Sequence, residues 1–553
     1  MIKFIDLPSL KEAVYQVTRH EFGKKYLEHA RRLDIIATQN LPYSRTKEER
    51  RTFQDVYGMR CNLITLEDFG SDITGSFIGQ SFARWCDLCL VQTVLNPGHY
   101  YDHDWSPLEL LLSRLTKIKE LNYGVDNVFP ESLLNAIHEF HPKCQLNIWS
   151  CQSLSPGHPQ KGRVRSTSTA NSNKDPFDMT LLRSPCISTI KFDYGIAYSS
   201  DSSQSRQQEA MLPVLNIPPN LKHIYIVLQP GRAGPIDESN QHWVEFFSSH
   251  PESALTSTRA SPVSLAIDED DLECQTLFTT LHRSMDFSSL RCLRLGAFNP
   301  IDVKEVSPAF SCLDTLSINL DITPWASYTQ AHFKSMFESF GPLKFLGIQG
   351  FCSKDVIESI LSHHGPTLQS LIFQKSECHF SYQLNFTGGY YHYPVFAAKD
   401  IADITRRAPH LQDLRIQLKR PGKEEQELAF YDALGQFSAL RNLAIDFDCS
   451  ATQFPERKIL AKNPVDETLA IRIWDSISAY PTSWLLCNLH IMPFGKDSLT
   501  PFDFAVLLQR SKSLLISRTS DGGRTIREVG QTEREAQCKQ QWDLVNQQIS
   551  SSG

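Results

Sequence analysis

The sequence predicts an α/β fold: an irregular, leucine-rich-repeat-like curved solenoid with a parallel sheet and outer helices. One observation is a pattern of apolar, two variable, apolar, one variable, apolar. It recurs as Leu290-Leu293-Leu295, Leu313-Leu316-Ile318, Leu343-Leu346-Ile348, Leu368-Leu371-Phe373, Leu411-Leu414-Ile416, Leu440-Leu443-Ile445 and Leu486-Leu489-Ile491. Weaker copies stand upstream at Ile118-Leu121-Tyr123, Ile187-Ile190-Phe192 and Leu221-Ile224-Ile226. This is the strand signature of a leucine-rich repeat, a unit that buries its apolar face only against neighbouring units. The second observation is that stretches with apolar residues at helical spacing separate the strands, so right-handed strand–helix–strand crossovers and a parallel sheet follow. The third is the bulk composition, 41% hydrophobic and 21% charged over 553 residues, which suits a folded chain with a long core.

Residues 1–105 read as an N-terminal helical or capping region. Residues 10–57 in it are helical in pattern, with the charged run Lys47 to Arg51 on an exposed face. Helices over Pro107–Leu115 and Pro130–Phe140 lead into strands around Leu121 and Leu146, which sets the solenoid at 106–518. Insertions interrupt it at 153–175, 199–208 and 230–272, where Ser, Pro, Gly and other polar residues dominate. Farther on, Gln330 to Phe340 carries an apolar stripe of Phe333, Met336, Phe337 and Phe340. Ser353 to His364 does the same through Val356, Ile357, Ile360 and Leu361. Ser353 suits an N-cap, and Gly365 stands where a left-handed C-terminal residue is wanted. Further helices are expected over Lys399–Arg407, Glu424–Phe437, Glu467–Ala479 and Phe502–Leu508, the last opened by Thr500-Pro501. Residues 519–553 form a polar tail with Trp542 as its large anchor. The strand motifs begin 23, 30, 25, 43, 29 and 46 residues apart, so the repeats are uneven.

The formal charge of −7 without clustered Lys and Arg argues against nucleic acid as a partner. No apolar run reaches the roughly 18 to 20 residues a membrane span needs, and Met1 to Lys11 lacks a secretory apolar core. The expected setting is therefore cytoplasmic or nuclear, with no membrane partner and with the fourteen cysteines reduced. Cys292, Cys312 and Cys487 fall in or beside strands and read as small packed residues.

Chemistry has few candidates. Cys86 and Cys89 with His99 and His103 carry zinc-ligand types, but only nine residues separate Cys89 from His99 and the thiols sit in the apolar run Trp85 to Val94. Packing is the reading adopted, so no metal and no cofactor are expected. His138 and His141 stand one residue closer than the zinc-protease motif requires, so they are not read as that motif. No phosphate-cradling loop, dinucleotide glycine pattern or nucleophile elbow is present, so the chain reads as non-enzymatic, with no catalytic residue assigned. A catalytic set assembled from distant residues stays open as the alternative.

Binding has two candidate sites. Residues flanking the second and third apolar strand positions point away from the core, onto the concave face. Here they include Arg294, Ser317, Asn319, Gln349, Gln374, Asp413, Arg415, Gln417, Asn442, Asp446 and His490, a polar and charge-mixed set that fits a protein partner. The other site is the insertion His379 to Phe396, whose Phe380, Tyr382, Tyr390, Tyr391 and Tyr393 either anchor a partner or cover the sheet end, with Gly388-Gly389 as a hairpin turn.

The wording of the repeats adds a resemblance. His364-Gly365-Pro366-Thr367-Leu368-Gln369-Ser370-Leu371, then Ile401 to Leu414, then Tyr431 to Gly435 before Leu440-Arg441-Asn442-Leu443, resembles fungal F-box/leucine-rich-repeat-like proteins over roughly residues 10–518. The resemblance implies a substrate-recognition role in a cullin-RING ubiquitin ligase, in which an F-box would bind a Skp-type adaptor. Leu7-Pro8 starts as an F-box would, but Leu10 to Leu33 matches the segment that follows one. The F-box itself is thus absent from this chain, either encoded upstream or lost. A Skp-type adaptor is expected only if an F-box exists upstream, and a free-standing repeat scaffold without a ligase link is the alternative.

Overall fold

The computed structural model describes residues 2–4, 10–19, 27–36, 104–125, 129–149, 178–196, 214–230, 259–268, 275–296, 298–320, 329–350, 352–374, 394, 396–419, 424–448, 464–494, 506–507, 509–529 and 539. They group into two compact units, one ending at Leu313 and one beginning at Asp314. Both are α/β, with a mostly parallel, open sheet.

The first unit runs β1 (Ile2–Phe4), α1 (Leu10–Arg19), β2 (Arg32–Ile36), α2 (Ser106–Arg114), β3 (Glu120–Gly124), α3 (Glu131–Phe140), β4 (Gln145–Ile148), α4 (Met179–Leu182), β5 (Ile187–Ile196), β6 (His223–Pro230), β7 (Ser264–Asp268), α5 (Gln275–Ser284), β8 (Cys292–Leu295) and α6 (Pro300–Val306). Its strands pair in parallel, each with the next in chain order. The apolar strand positions stack in register: Leu33 on Leu121 on Leu146, and Ile224 on Leu265 on Leu293. All six side chains are fully buried.

The second unit runs β9 (Thr315–Asn319), α7 (Gln330–Ser339), β10 (Phe345–Gln349), α8 (Lys354–His363), β11 (Ser370–Gln374), α9 (Ala398–Arg407), β12 (Asp413–Lys419), α10 (Glu424–Gly435), β13 (Asn442–Asp448), α11 (Glu467–Ser478), β14 (Asn488–Phe494), β15 (Leu514–Arg518) and β16 (Arg524–Glu528). Leu316, Leu346, Leu371, Leu414, Leu443 and Leu489 form one continuous row across β9 to β14. A backbone seam marks the same repeat position each time. The residue after the first leucine donates its N–H to the carbonyl of its counterpart one repeat earlier: Lys344 to Asp314, Gln369 to Lys344, Gln412 to Gln369, Arg441 to Gln412 and Cys487 to Arg441, at 2.7 to 2.9 Å. Successive helices pack on one another outside this sheet. A seam and a leucine row that both advance by one strand per repeat are what a leucine-rich-repeat-like stack requires.

Helix chemistry follows the local residues. Ser353 Oγ accepts from Val356 N at 3.4 Å and starts α8, whose Val356, Ile357, Ile360 and Leu361 are buried. Asn299 and Asp466 cap α6 and α11 in the same way. At the end of α8 the chain tightens into a 3-10 turn, Gly365–Thr367, and Gly365 is not left-handed as expected. Its glycine has another cause: a Cβ there would lie 2.5 Å from the Arg407 carbonyl oxygen at the end of α9. Close backbone approach, not backbone hand, demands the small residue.

Other expectations change too. Residues 10–57 are not helical throughout, because Leu33 and Ile35 alternate with Arg32 and Asp34 and form β2, which joins the ladder upstream of residue 106. The span 230–272 is not all loop. It contains β7, whose repeat pattern has Pro262 at the first apolar position and so escapes a leucine search. Past β14 the pairing turns antiparallel, and β16 is built from residues placed in the polar tail. Cys292 is buried, but Cys312 and Cys487 are exposed rather than packed. Burial pushes the Cys144 thiol up to about 12 and raises that of Cys352, so both stay protonated. Among the described residues no helix is long and apolar enough to cross a membrane. The helix expected over Phe502–Leu508 is described only at 506–507.

Candidate protein-interaction surface

Strand geometry alternates side chains, so the residues flanking each buried leucine lie together on the other sheet face. In the second unit they form rows. One runs Thr315, Phe345, Ser370, Asp413, Asn442, Asn488, Ser517; the next runs Ser317, Gly347, Ile372, Arg415, Ala444, His490, Leu515. A further row holds Asn319, Gln349 and Gln374.

The eleven expected partner-facing residues divide by environment. Ser317, Asn319, Gln349, Gln374, Asp413, Arg415 and Asn442 are half-buried in the second unit, and Arg294 is half-buried in the first. Gln417, Asp446 and His490 are buried, at 0%, 5% and 0% exposure, and so are corrected from surface to interior. Gln417 and Asp446 are paired with each other, and Asp446 with Arg415. Arg415 donates through Nε to Asp446 Oδ2 at 3.0 Å and through Nη2 to Oδ1 at 3.3 Å. Gln417 Nε2 donates to the same Oδ2 at 2.9 Å and to the Phe373 carbonyl. Reversing Arg415 and Asp446 would therefore disrupt a bonded pair instead of probing a free surface.

A second network crosses four strands. Asn442 Nδ2 donates to Asp413 Oδ1 at 2.7 Å, Asn488 Nδ2 to Asn442 Oδ1 at 2.8 Å, and Ser517 Oγ to Asn488 Oδ1 at 2.8 Å. Burial raises the Asp413 carboxyl above its ordinary value, against the lowering effects of Asn442 and Arg441. Burial, then Arg415 and Arg527, push His490 down to about 3, so it is a neutral imidazole at physiological pH, with Nε2 at 2.9 Å from Ser513 Oγ.

The first unit holds a comparable set that the strand pattern did not disclose. Asn122 Nδ2 donates to Asp34 Oδ1 at 2.7 Å, Asn147 Nδ2 to Asn122 Oδ1 at 2.8 Å and to Glu120 Oε1 at 3.1 Å, and Trp149 Nε1 to Asn122 Oδ1 at 3.1 Å. The available signal was an asparagine between the two apolar positions in both Leu121-Asn122-Tyr123 and Leu146-Asn147-Ile148. A buried polar chain bonded across neighbouring strands fixes strand register, because a one-residue slip would break its links.

Gln349 and Gln374 differ from these networks. They are register partners and half-buried, and their side-chain amides bond no described residue. Two adjacent amides offer donors and acceptors to an extended partner. By contrast, the hydroxyls in the Ser264–His223 and Ser184–His138 contacts, each 2.7 Å, belong to serines only 1% exposed. Among the described residues no cluster of His, Cys, Asp or Glu could hold a metal ion. Cys86, Cys89, His99 and His103, and the aromatics Phe380 to Tyr393, lie outside the described residues. Phe396, at the end of that insertion, is buried with its ring 5.1 Å from Phe373.

The ladder defines the fold class: an α/β, leucine-rich-repeat-like stack. No protein family and no curated protein matches the chain. Among solved structures it is similar to a chain in the crystal structure of a TLR13–ssRNA13 complex, at 12% identity and a TM-score of 0.32, over 73% of this chain. The match spans about half of that protein, 54% of its chain.

Proposed function

We propose that the chain is a non-enzymatic protein-recognition scaffold whose second-unit sheet face holds a partner. The observation that carries this reading is the half-buried strip of Ser317, Asn319, Gln349 and Gln374, with two register-paired glutamine amides unbonded among the described residues. An unmet amide beside others favours partner backbone, which supplies alternating N–H and C=O groups. The test is capture from a cell lysate by wild type, by Gln349→Arg/Gln374→Arg and by the exposed control Gln436→Arg. Specific partners are lost in the double variant and kept by the control, with unfolding unchanged in all three. An identical captured set in all three would refute the strip, and the insertion at Tyr390 to Tyr393 would become the site to test.

The finer reading comes from the F-box-like resemblance: the partner is a ubiquitin-ligase substrate, and a Skp-type adaptor binds only if an F-box exists upstream. Extending the reading frame upstream and testing the longer product for adaptor binding decides it. A Leu-Pro-led helical bundle that binds the adaptor supports the ligase role. Its absence leaves a free-standing scaffold.

A further inference from the structure

Beyond β15, the chain turns within Thr519 to Gly523. Thr519 N donates to Gly523 O and Gly522 N to Thr519 O, both at 3.0 Å, and Gly522 takes φ of 83°. This tight turn carries no side chain at Gly522 and Gly523, and it forms one rim of an open groove of about 530 Å³. The opposite rim is the last turn of α11 and the residues after it, including Ser478 and Ala479. Trp474, 5% exposed, contributes an indole to the lining.

The charges in the groove are unevenly satisfied. Arg524 is neutralised by an ion pair with Asp475. Arg518 is held on one side only: its guanidinium lies 5.6 Å from the Trp474 ring centre, and its Nε donates to the Leu486 carbonyl at 2.9 Å. Its two Nη groups bond no described residue. The Ser478 hydroxyl is screened from solvent and has no hydrogen-bond partner among the described residues. The three charged side chains sum to one positive charge, on a guanidinium that packing and one hydrogen bond have already oriented. A pre-oriented fork with open donors matches the two oxygens of a carboxylate or phosphoryl group better than any neutral ligand.

We propose that this groove is a subsite for one oxyanion, carboxylate or phosphoryl, carried on a side chain of a bound peptide. The peptide rests on the reading of the chain as a protein-recognition scaffold; the oxyanion rests on Arg518 alone. The groove is open and its indole floor is nearly covered, so the anion supplies selectivity more than buried area. Binding weakens as salt rises, since the charge is only partly shielded from water.

Calorimetric titration of the full chain with N-acetyl-phosphoserine amide, N-acetyl-glutamate amide and N-acetyl-glutamine amide tests the subsite. These capped probes are too small to engage the sheet strip, so their result is independent of lysate capture. At least one acid binds at millimolar concentration or tighter, and the glutamine probe does not. Binding falls by about tenfold or more in Arg518→Gln, and likewise in Ala479→Glu, which places a competing carboxylate at an exposed position on the groove rim. Binding of the phosphoserine probe alone assigns a phosphorylated partner; binding of both acids assigns an acidic one. Failure of wild type to bind either acid, or equal binding by wild type and both variants, overturns the proposal.

Discussion

Acidification should destabilise the second unit through His364, and the size of the effect follows from its surroundings. His364 is fully buried at the end of α8. Its Nε2 meets the Phe337 carbonyl at 3.0 Å, and its Nδ1 accepts from Leu343 N–H at 3.3 Å. One donor and one acceptor on the ring fix the neutral Nε2–H tautomer. Burial, then the neighbouring His363, push its pKa down from 6.5 to about 4. A folded pKa below the unfolded one means the unfolded chain takes up the proton first. Stability is thus full above pH 6.5 and is lost as pH falls toward 4. At pH 5 the unfolded ring is nearly all protonated and the folded ring nearly all neutral, a difference worth about 2 kcal/mol. His490 acts with the same sign down to about 3, and Asp413, raised by burial, acts with the opposite one. The informative comparison is therefore wild type against His364→Gln, whose amide can keep both hydrogen bonds but does not titrate. In urea unfolding followed at pH 7.5 and at pH 5, the variant should lose about 2 kcal/mol less than wild type between the two conditions. Equal losses in the two proteins would refute the assigned tautomer and its burial.

Truncation should separate the two sheet faces less cleanly than strand alternation alone implies. Leu371→Ala and Leu414→Ala should each cost about 2 to 5 kcal/mol, while half-buried Gln369→Ala costs little; similar unfolding midpoints for all three would overturn the leucine row. Gln417→Ala should be destabilising by about 1 to 3 kcal/mol, because it strips a partner from the buried Asp446 carboxylate. A wild-type midpoint for that variant would return Gln417 to the surface. Gly365→Ala should also destabilise, since its Cβ meets the Arg407 carbonyl oxygen at 2.5 Å, and thermal unfolding indistinguishable from wild type would show that α8 and α9 are not so closely apposed.

The sequence by itself determined the repeat stack. A leucine at each second apolar position, from Leu316 to Leu489, needs only nearest-neighbour stacking to be buried, and the helices between announce themselves by their own spacing. Strands outside that rule stayed hidden: β7 puts Pro262 where a leucine is sought, β2 is a short alternation inside a charged stretch, and β15 and β16 pair antiparallel. Tertiary structure alone decided which polar residues of the second face are available. Strand alternation assigns Gln374 and Gln417 to the same face, yet one is half-buried with its amide unbonded among the described residues and the other is buried against Asp446. Local sequence sets which way a side chain points, but whether it meets a partner is set by charges one strand away, 31 residues distant in the case of Arg415 and Asp446.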